Sequence, residues 1–183
     1  SINETNEMAG NKSLFVNCVM STSNTKVSPV VDLQRVSAFT IQNRINQPSV
    51  SDVNYVSDTT NVGTSSAASY LTKPVILENL STAIDVRLTS NIRSTSKVEV
   101  YFRTTSSEEA RNINDLSWIP FNTTGTSDTT VTPAEDNETF KEYKYSVSGL
   151  NEFTAFQIKI VMKGTNSAYA PVIKDMRGIA LAV

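Results

Sequence analysis

Several short runs of this chain alternate apolar with polar side chains, and a period of two is the mark of a half-buried β-strand. The clearest is Val98-Glu99-Val100-Tyr101-Phe102-Arg103, which puts Val98, Val100 and Phe102 on a core face and Glu99, Tyr101 and Arg103 outward. Ile84-Asp85-Val86-Arg87-Leu88 repeats the pattern. Tyr143, Tyr145 and Val147 alternate with Lys144 and Ser146, and Phe156, Ile158, Ile160 and Met162 alternate with Gln157 and Lys159. Ser148-Gly149-Leu150-Asn151 between them supplies turn residues, so these two strands are predicted to be neighbours. Residues 70–77 form a further strand, and 172–183, carrying Ile173, Met176, Ile179 and Leu181, form another in which Gly178 suits a bulge.

Elsewhere the pattern is weaker. Residues 1–12 are polar and read as an arm or linker, and the apolar run at 14–20 reads as a first strand with Cys18 buried inside it. Residues 27–34 are β-branched but interrupted by Pro29, which suits an edge or extended segment. Residues 35–45 mix periods and read as a strand, whereas 47–69 are a long polar loop. Ser106-Ser107-Glu108-Glu109-Ala110 reads as the start of one helical turn. The sum is roughly eight to ten short strands with turn signals between them and no amphipathic helix to cover a parallel sheet. An all-β antiparallel β-sandwich of jelly-roll type follows, as one domain over 13–183 behind the 1–12 arm, with the 27–34 segment and the 47–69 loop within it.

Composition agrees. Ser, Thr and Asn make up roughly a third of the chain, and their short polar side chains compete for backbone hydrogen bonds and disfavour long helices. The 183 residues, 39% of them hydrophobic and 19% charged, suit one well-cored domain. A net charge of -2 offers no basic footprint for nucleic acid. No run approaches the roughly 20 apolar residues that span a bilayer, so membrane insertion is not expected, and no export signal is visible. The chain begins Ser1-Ile2-Asn3-Glu4, in keeping with a processed product or a piece of a longer polypeptide.

Candidate chemistry is sparse. With no histidine, the commonest general base and neutral metal ligand is missing, and a single cysteine, Cys18, cannot form an intrachain disulfide. Asp52, Asp58 and Glu135-Asp136-Asn137-Glu138 offer oxygen ligands for calcium but lack EF-hand spacing, and read as solvated loops. Glu108 and Glu109 are adjacent on one loop, which does not supply the two facing carboxyls of glycoside hydrolysis. Trp118, Tyr101, Tyr143, Tyr145 and Tyr169 could form a sugar-stacking surface, but Trp118 lies between apolar neighbours and reads as core or interface. Ser94-Thr95-Ser96 has no base to activate it. No catalytic, cofactor-binding or metal-binding residue is assigned, no cofactor is implied, and the chain reads as a non-enzyme.

Three segments carry a resemblance: Tyr70-Leu71-Thr72-Lys73-Pro74-Val75-Ile76-Leu77 with Ile84-Asp85-Val86-Arg87-Leu88-Thr89-Ser90-Asn91; Lys97 through Arg103; and the stretches 153–162 and 171–181. Together with Ser28-Pro29-Val30-Val31-Asp32-Leu33 upstream, they resemble a β-sandwich module of virion structural proteins in large contractile-tailed phages, especially those of marine cyanobacteria. These are packing patterns rather than active-site motifs. The resemblance implies a non-catalytic tail or baseplate component, assembled in the host cytoplasm and located in the virion, whose partners are other virion subunits. The 1–12 arm and the 47–69 loop are then expected to lie against other chains. The alternative is a carbohydrate-binding module that attaches the particle to a host-surface glycan.

Overall fold

The computed structural model describes residues 17–32, 34, 45, 50–166 and 169–182. The chain divides into two units, residues 1–42 and 43–183. In the first, residues 17–32 form no strand and are exposed, Val19 and Val30 included. The strand expected over 14–20 is therefore absent from 17 onward, and Cys18 is exposed rather than buried. An apolar run becomes a strand only where a neighbour pairs its backbone, and none among the described residues pairs residues 17–20. The extended 27–34 segment is irregular and exposed over residues 27–32. The 1–12 arm lies outside the described residues, as does the strand expected at 35–45 apart from Ile45, which is buried.

The second unit is all-β and antiparallel. Its strands are β1 (Ala68–Leu71), β2 (Val75–Ser81), β3 (Ala83–Asn91), β4 (Ser96–Thr105), β5 (Ile119–Pro120), β6 (Lys141–Val147), β7 (Phe153–Gly164) and β8 (Val172–Leu181). One sheet has the order β1-β7-β4-β5, with β2 also pairing β7 beside β1; the other has the order β6-β3-β8. The strand expected over 70–77 is broken into β1 and β2 at Pro74, which cannot donate to a ladder. The helical turn expected at 106–110 is replaced by a 3₁₀ turn at Ile113–Asp115, capped by the Asn112 side chain on the Asn114 amide.

Period-two alternation builds the core. Ile84, Val86 and Leu88 of β3 and Tyr143 and Tyr145 of β6 face Val98, Val100 and Phe102 of β4 and Phe156, Ile158 and Ile160 of β7. The two sheets thus bury one shared apolar layer, as in a β-sandwich. Phe121 closes it, with its ring 4.9 Å from that of Phe102 and 6.1 Å from that of Tyr145. Two expectations fail in detail. The strands β6 and β7 are not neighbours, because the turn at Gly149 carries the chain from one sheet to the other instead of closing a hairpin. The bulge of β8 is at Lys174 rather than Gly178: Thr89 pairs Asp175 and Ser90 pairs Ile173, which leaves Lys174 as the extra residue.

The hydroxyl of Tyr145 is buried and has no hydrogen-bond partner among the described residues. Tyr145→Phe is therefore expected to be neutral or stabilising by up to about 1 kcal/mol, whereas Phe102→Ala, which empties the layer, should cost about 3–5 kcal/mol. Denaturant midpoints of the two variants check this contrast; a Tyr145→Phe loss as large as that of Phe102→Ala would contradict it.

Candidate functional site

The face of β4 and β7 that turns away from the apolar core is also buried, although Glu99, Tyr101 and Arg103 were expected outward. It carries Glu99, Tyr101 and Arg103 of β4 and Gln157, Lys159, Val161 and Lys163 of β7. The cover comes from two irregular segments. In one, Ser65 N–H donates to the Val56 carbonyl at 3.0 Å and Thr60 N–H to the Ser57 carbonyl at 3.2 Å, a closed loop that holds Asp58 toward the sheet. In the other, Leu116 and Trp118 descend onto the sheet, and the Trp118 N–H donates to the Thr59 carbonyl at 2.8 Å, tying the two covers together.

Charged side chains without water must be paired. Lys163 Nζ lies 2.7 Å from Asp58 Oδ2 and 2.6 Å from Glu99 Oε2. Asp58 accepts further hydrogen bonds from the Thr64 hydroxyl at Oδ1 and from the Ser66 hydroxyl at Oδ2, the latter at 3.1 Å. Glu99 accepts from the Tyr101 hydroxyl at 2.8 Å and lies 2.6 Å from Lys97 Nζ. Lys159, only 2% exposed, donates to the Asp58 carbonyl at 2.7 Å and lies 4.0 Å from Asp58 Oδ1. Gly125 allows the chain to pass close by: its φ is +82°, and a Cβ there would come within 3.0 Å of Glu99 Cβ.

Burial alone would push both carboxyls up. The hydrogen bonds from Lys163 and Thr64 outweigh it at Asp58, and those from Lys163, Lys97 and Tyr101 outweigh it at Glu99, so both are held below the usual carboxylate range. Burial likewise works against the charge of Lys163, but Asp58 and Glu99 raise its pKa overall. Lys159 goes the other way, lowered by burial that Asp58 only partly offsets. Arg103 completes the layer: its guanidinium donates to Gln157 Oε1, to the carbonyls of Asn114 and Leu116 and to Asn114 Oδ1, and stacks 4.1 Å from the Trp118 ring.

No protein-family model, curated protein or solved structure matches this chain. The residues themselves have to carry the reading. Of the acidic positions noted in the sequence, Asp58 belongs to the buried cluster, Asp52 caps its own turn at the Asn54 amide, and Asp136 does the same at Glu138 and Thr139. Among the described residues no group of three or more metal-ligating side chains converges. Glu109 forms a two-pronged pair with Arg111, which holds its carboxyl down at about 2, while Glu108 is exposed. The aromatic residues do not form one platform: Trp118, from the cover, packs on Tyr101 and Val161 of the sheet, and Tyr143 and Tyr145 lie in the apolar core.

A second feature lies along one flank of the sandwich, where β1 and β2 edge one sheet and β8 edges the other. Exposed apolar side chains lie there, among them Tyr70, Leu71, Ile76, Val172 and Ile179, interspersed with exposed Glu78, Lys174, Asp175 and Arg177. Between β1 and β8 runs a groove of about 870 Å³ lined by Tyr70, Met162, Tyr169, Val172, Lys174 and Asp175. The outer face of the β6-β3-β8 sheet differs in kind. There Asp85, Arg87, Glu142, Lys144 and Arg177 form an exposed lattice of ion pairs, which favours solvation over stability. No described helix is long and apolar enough to cross a membrane.

The buried charges give two expectations. Because the folded values of Asp58 and Glu99 lie below their unfolded values of about 4, the stability they contribute is complete above that range and is lost as pH falls through the folded values. An acid titration followed by the fluorescence of Trp118, the one tryptophan, should hold to about pH 5 and fall below about pH 4. In chains that keep the full sequence mass, with Asp58 still a carboxylate, a signal and melting temperature unchanged down to about pH 2 would contradict the cluster's contribution. Arg103→Lys, which keeps the charge but loses the planar fork, should cost about 2–3 kcal/mol in a denaturant titration, and a loss within error of zero would contradict the fork's role.

Proposed function

We propose that this chain is a non-catalytic structural component of a phage virion, a tail or baseplate module that works by protein–protein assembly. The observation that carries the reading is the apolar flank: the edges formed by β1 with β2 and by β8 pair on one side only among the described residues, and Ile76 is 83% exposed there. A sheet edge is a template for another strand, and apolar side chains beside it reward the pairing. The occupant is an extended segment of a neighbouring virion subunit, which adds to an edge strand through its backbone and fills the groove with its side chains. The bulge at Lys174 blunts one end of β8 and leaves residues 176–181 as its regular edge. The likeness of the sequence to contractile-tailed phage modules supplies the setting.

One observation favours a second reading, a carbohydrate-binding module for host attachment. Tyr70 and Tyr169 are both about half exposed and flank the same groove beside Asn137, Lys174 and Asp175. Such rings stack on sugar faces while polar neighbours take the hydroxyls. Arg93 already covers one face of Tyr169 at 4.9 Å, which leaves the platform narrow and puts this reading second.

Ile76→Lys and Ile179→Lys place charge on the flank without entering the core. Each is expected to reduce incorporation into particles at least tenfold with little change in melting temperature, roughly 1 kcal/mol or less in stability. Undiminished incorporation of both would reject the flank as the assembly surface. Glycan-array binding abolished by Tyr70→Ala, with assembly intact, would move the function to the second reading.

A further inference from the structure

The buried charges do more than pair. Lys163 Nζ touches the Asp58 carboxylate at 2.7 Å and the Glu99 carboxylate at 2.6 Å, with each of the three side chains less than a tenth exposed. This is the arrangement of an amine nucleophile, a carboxyl electrophile and a proton acceptor held in contact away from water. We infer that Lys163 and Asp58 condense into an intramolecular amide, with Glu99 as the proton relay, so that the loop before β1 is covalently stapled to the end of β7. The inference stands apart from the assembly reading, which uses other residues.

Each neighbour has a part in the step. The ion pair is the resting form, so the step starts from a minor population in which Lys163 has passed a proton to Glu99 Oε2 and the freed Nζ lone pair attacks Asp58 Cγ. Negative charge gathers on Oδ1, where the Thr64 hydroxyl donates and the Lys159 ammonium lies 4.0 Å away. Oδ2, which contacts both Lys163 Nζ and the Ser66 hydroxyl, is the leaving oxygen. The Nζ–Cγ bond forms, the Cγ–Oδ2 bond breaks, and two of the three ammonium protons depart with Oδ2 as water, delivered through Glu99. One ammonium and one carboxylate become one neutral amide and one water, so no oxidant, reductant or cofactor is required. Tyr101 and Lys97 hold Glu99 in place through its two oxygens.

In water the ion pair would be the more stable form. Here both ions are desolvated, and converting them to a neutral amide removes that cost while the released water leaves for bulk solvent. The reaction occurs once per chain and acts on no other molecule. It gives a fold without an intrachain disulfide a covalent tie between its covering loop and its central strand.

The test is the intact mass of the full chain, purified and measured under denaturing conditions so that only covalent change registers. The expected result is a mass one water below that of the sequence, and a branched peptide in tandem spectra that joins Asp58 to Lys163. Glu99→Gln, nearly the same shape, should return the full mass in a chain whose Trp118 fluorescence is still that of the folded protein. Asp58→Asn should lose ammonia in place of water and give the same branched peptide. A folded wild-type chain that keeps its full sequence mass after prolonged incubation would overturn the inference without recourse to any variant. A water loss that survives Asp58→Ala, or that maps to another pair of residues, would overturn it equally.

Discussion

Five charged side chains, Asp58, Glu99, Arg103, Lys159 and Lys163, are buried on one face of β4 and β7, and the rest of the second unit has to accommodate them. Removing a charge from water is affordable only when every donor and acceptor finds a partner. That demand fixes where the irregular segments go. Asp58 must reach Lys163, so the loop that carries it folds down onto the sheet. Asn114 and the carbonyl of Leu116 must reach Arg103, so the segment ahead of β5 does the same. The central sheet is therefore a middle layer, with an apolar core on one side and a polar, hydrogen-bonded one on the other.

The two sides do different work. The apolar layer between the sheets supplies most of the driving force, because it removes the most hydrocarbon from water. The polar layer supplies definition: a buried ion has few acceptable positions, and a loop tied to it inherits that restriction. The flank that the two layers leave uncovered, along β1, β2 and β8, is where apolar side chains remain available to another chain.

Period two made β3, β4, β6 and β7 legible in the sequence, since it depends only on side chains alternating across a pleat, while β8 was read from its apolar content. The class of fold followed from it. What escaped was everything set by contacts between distant segments. Glu99 and Arg103 on β4 and Lys159 and Lys163 on β7 have the spacing of a solvated face, and only the position of Asp58, far off in a loop, turns that face inward. A signal was present: the shared alternating face carries Lys97, Arg103, Lys159 and Lys163 against a single acid, Glu99, and a long Ser- and Thr-rich loop that holds Asp58 had no assigned place. The pairing of β6 with β3 rather than with β7 was hidden for a similar reason, because a short turn with Gly149 serves a crossing between sheets as well as a hairpin. Cys18 and its apolar neighbours show the reverse case, a hydrophobic run that finds no cover among the described residues.

The covering loops belong to the folded unit as firmly as the strands beneath them. Amide hydrogen exchange tests it most directly, because the Trp118 N–H is bonded to the Thr59 carbonyl and the Ser66 N–H to the Thr64 hydroxyl, both within the cover. Exchange at these two amides as slow as at Val100 and Ile160, and lost in step with them under denaturant, is the expected result. Exchange at the rate of an open loop, while β4 and β7 remain protected, would contradict it.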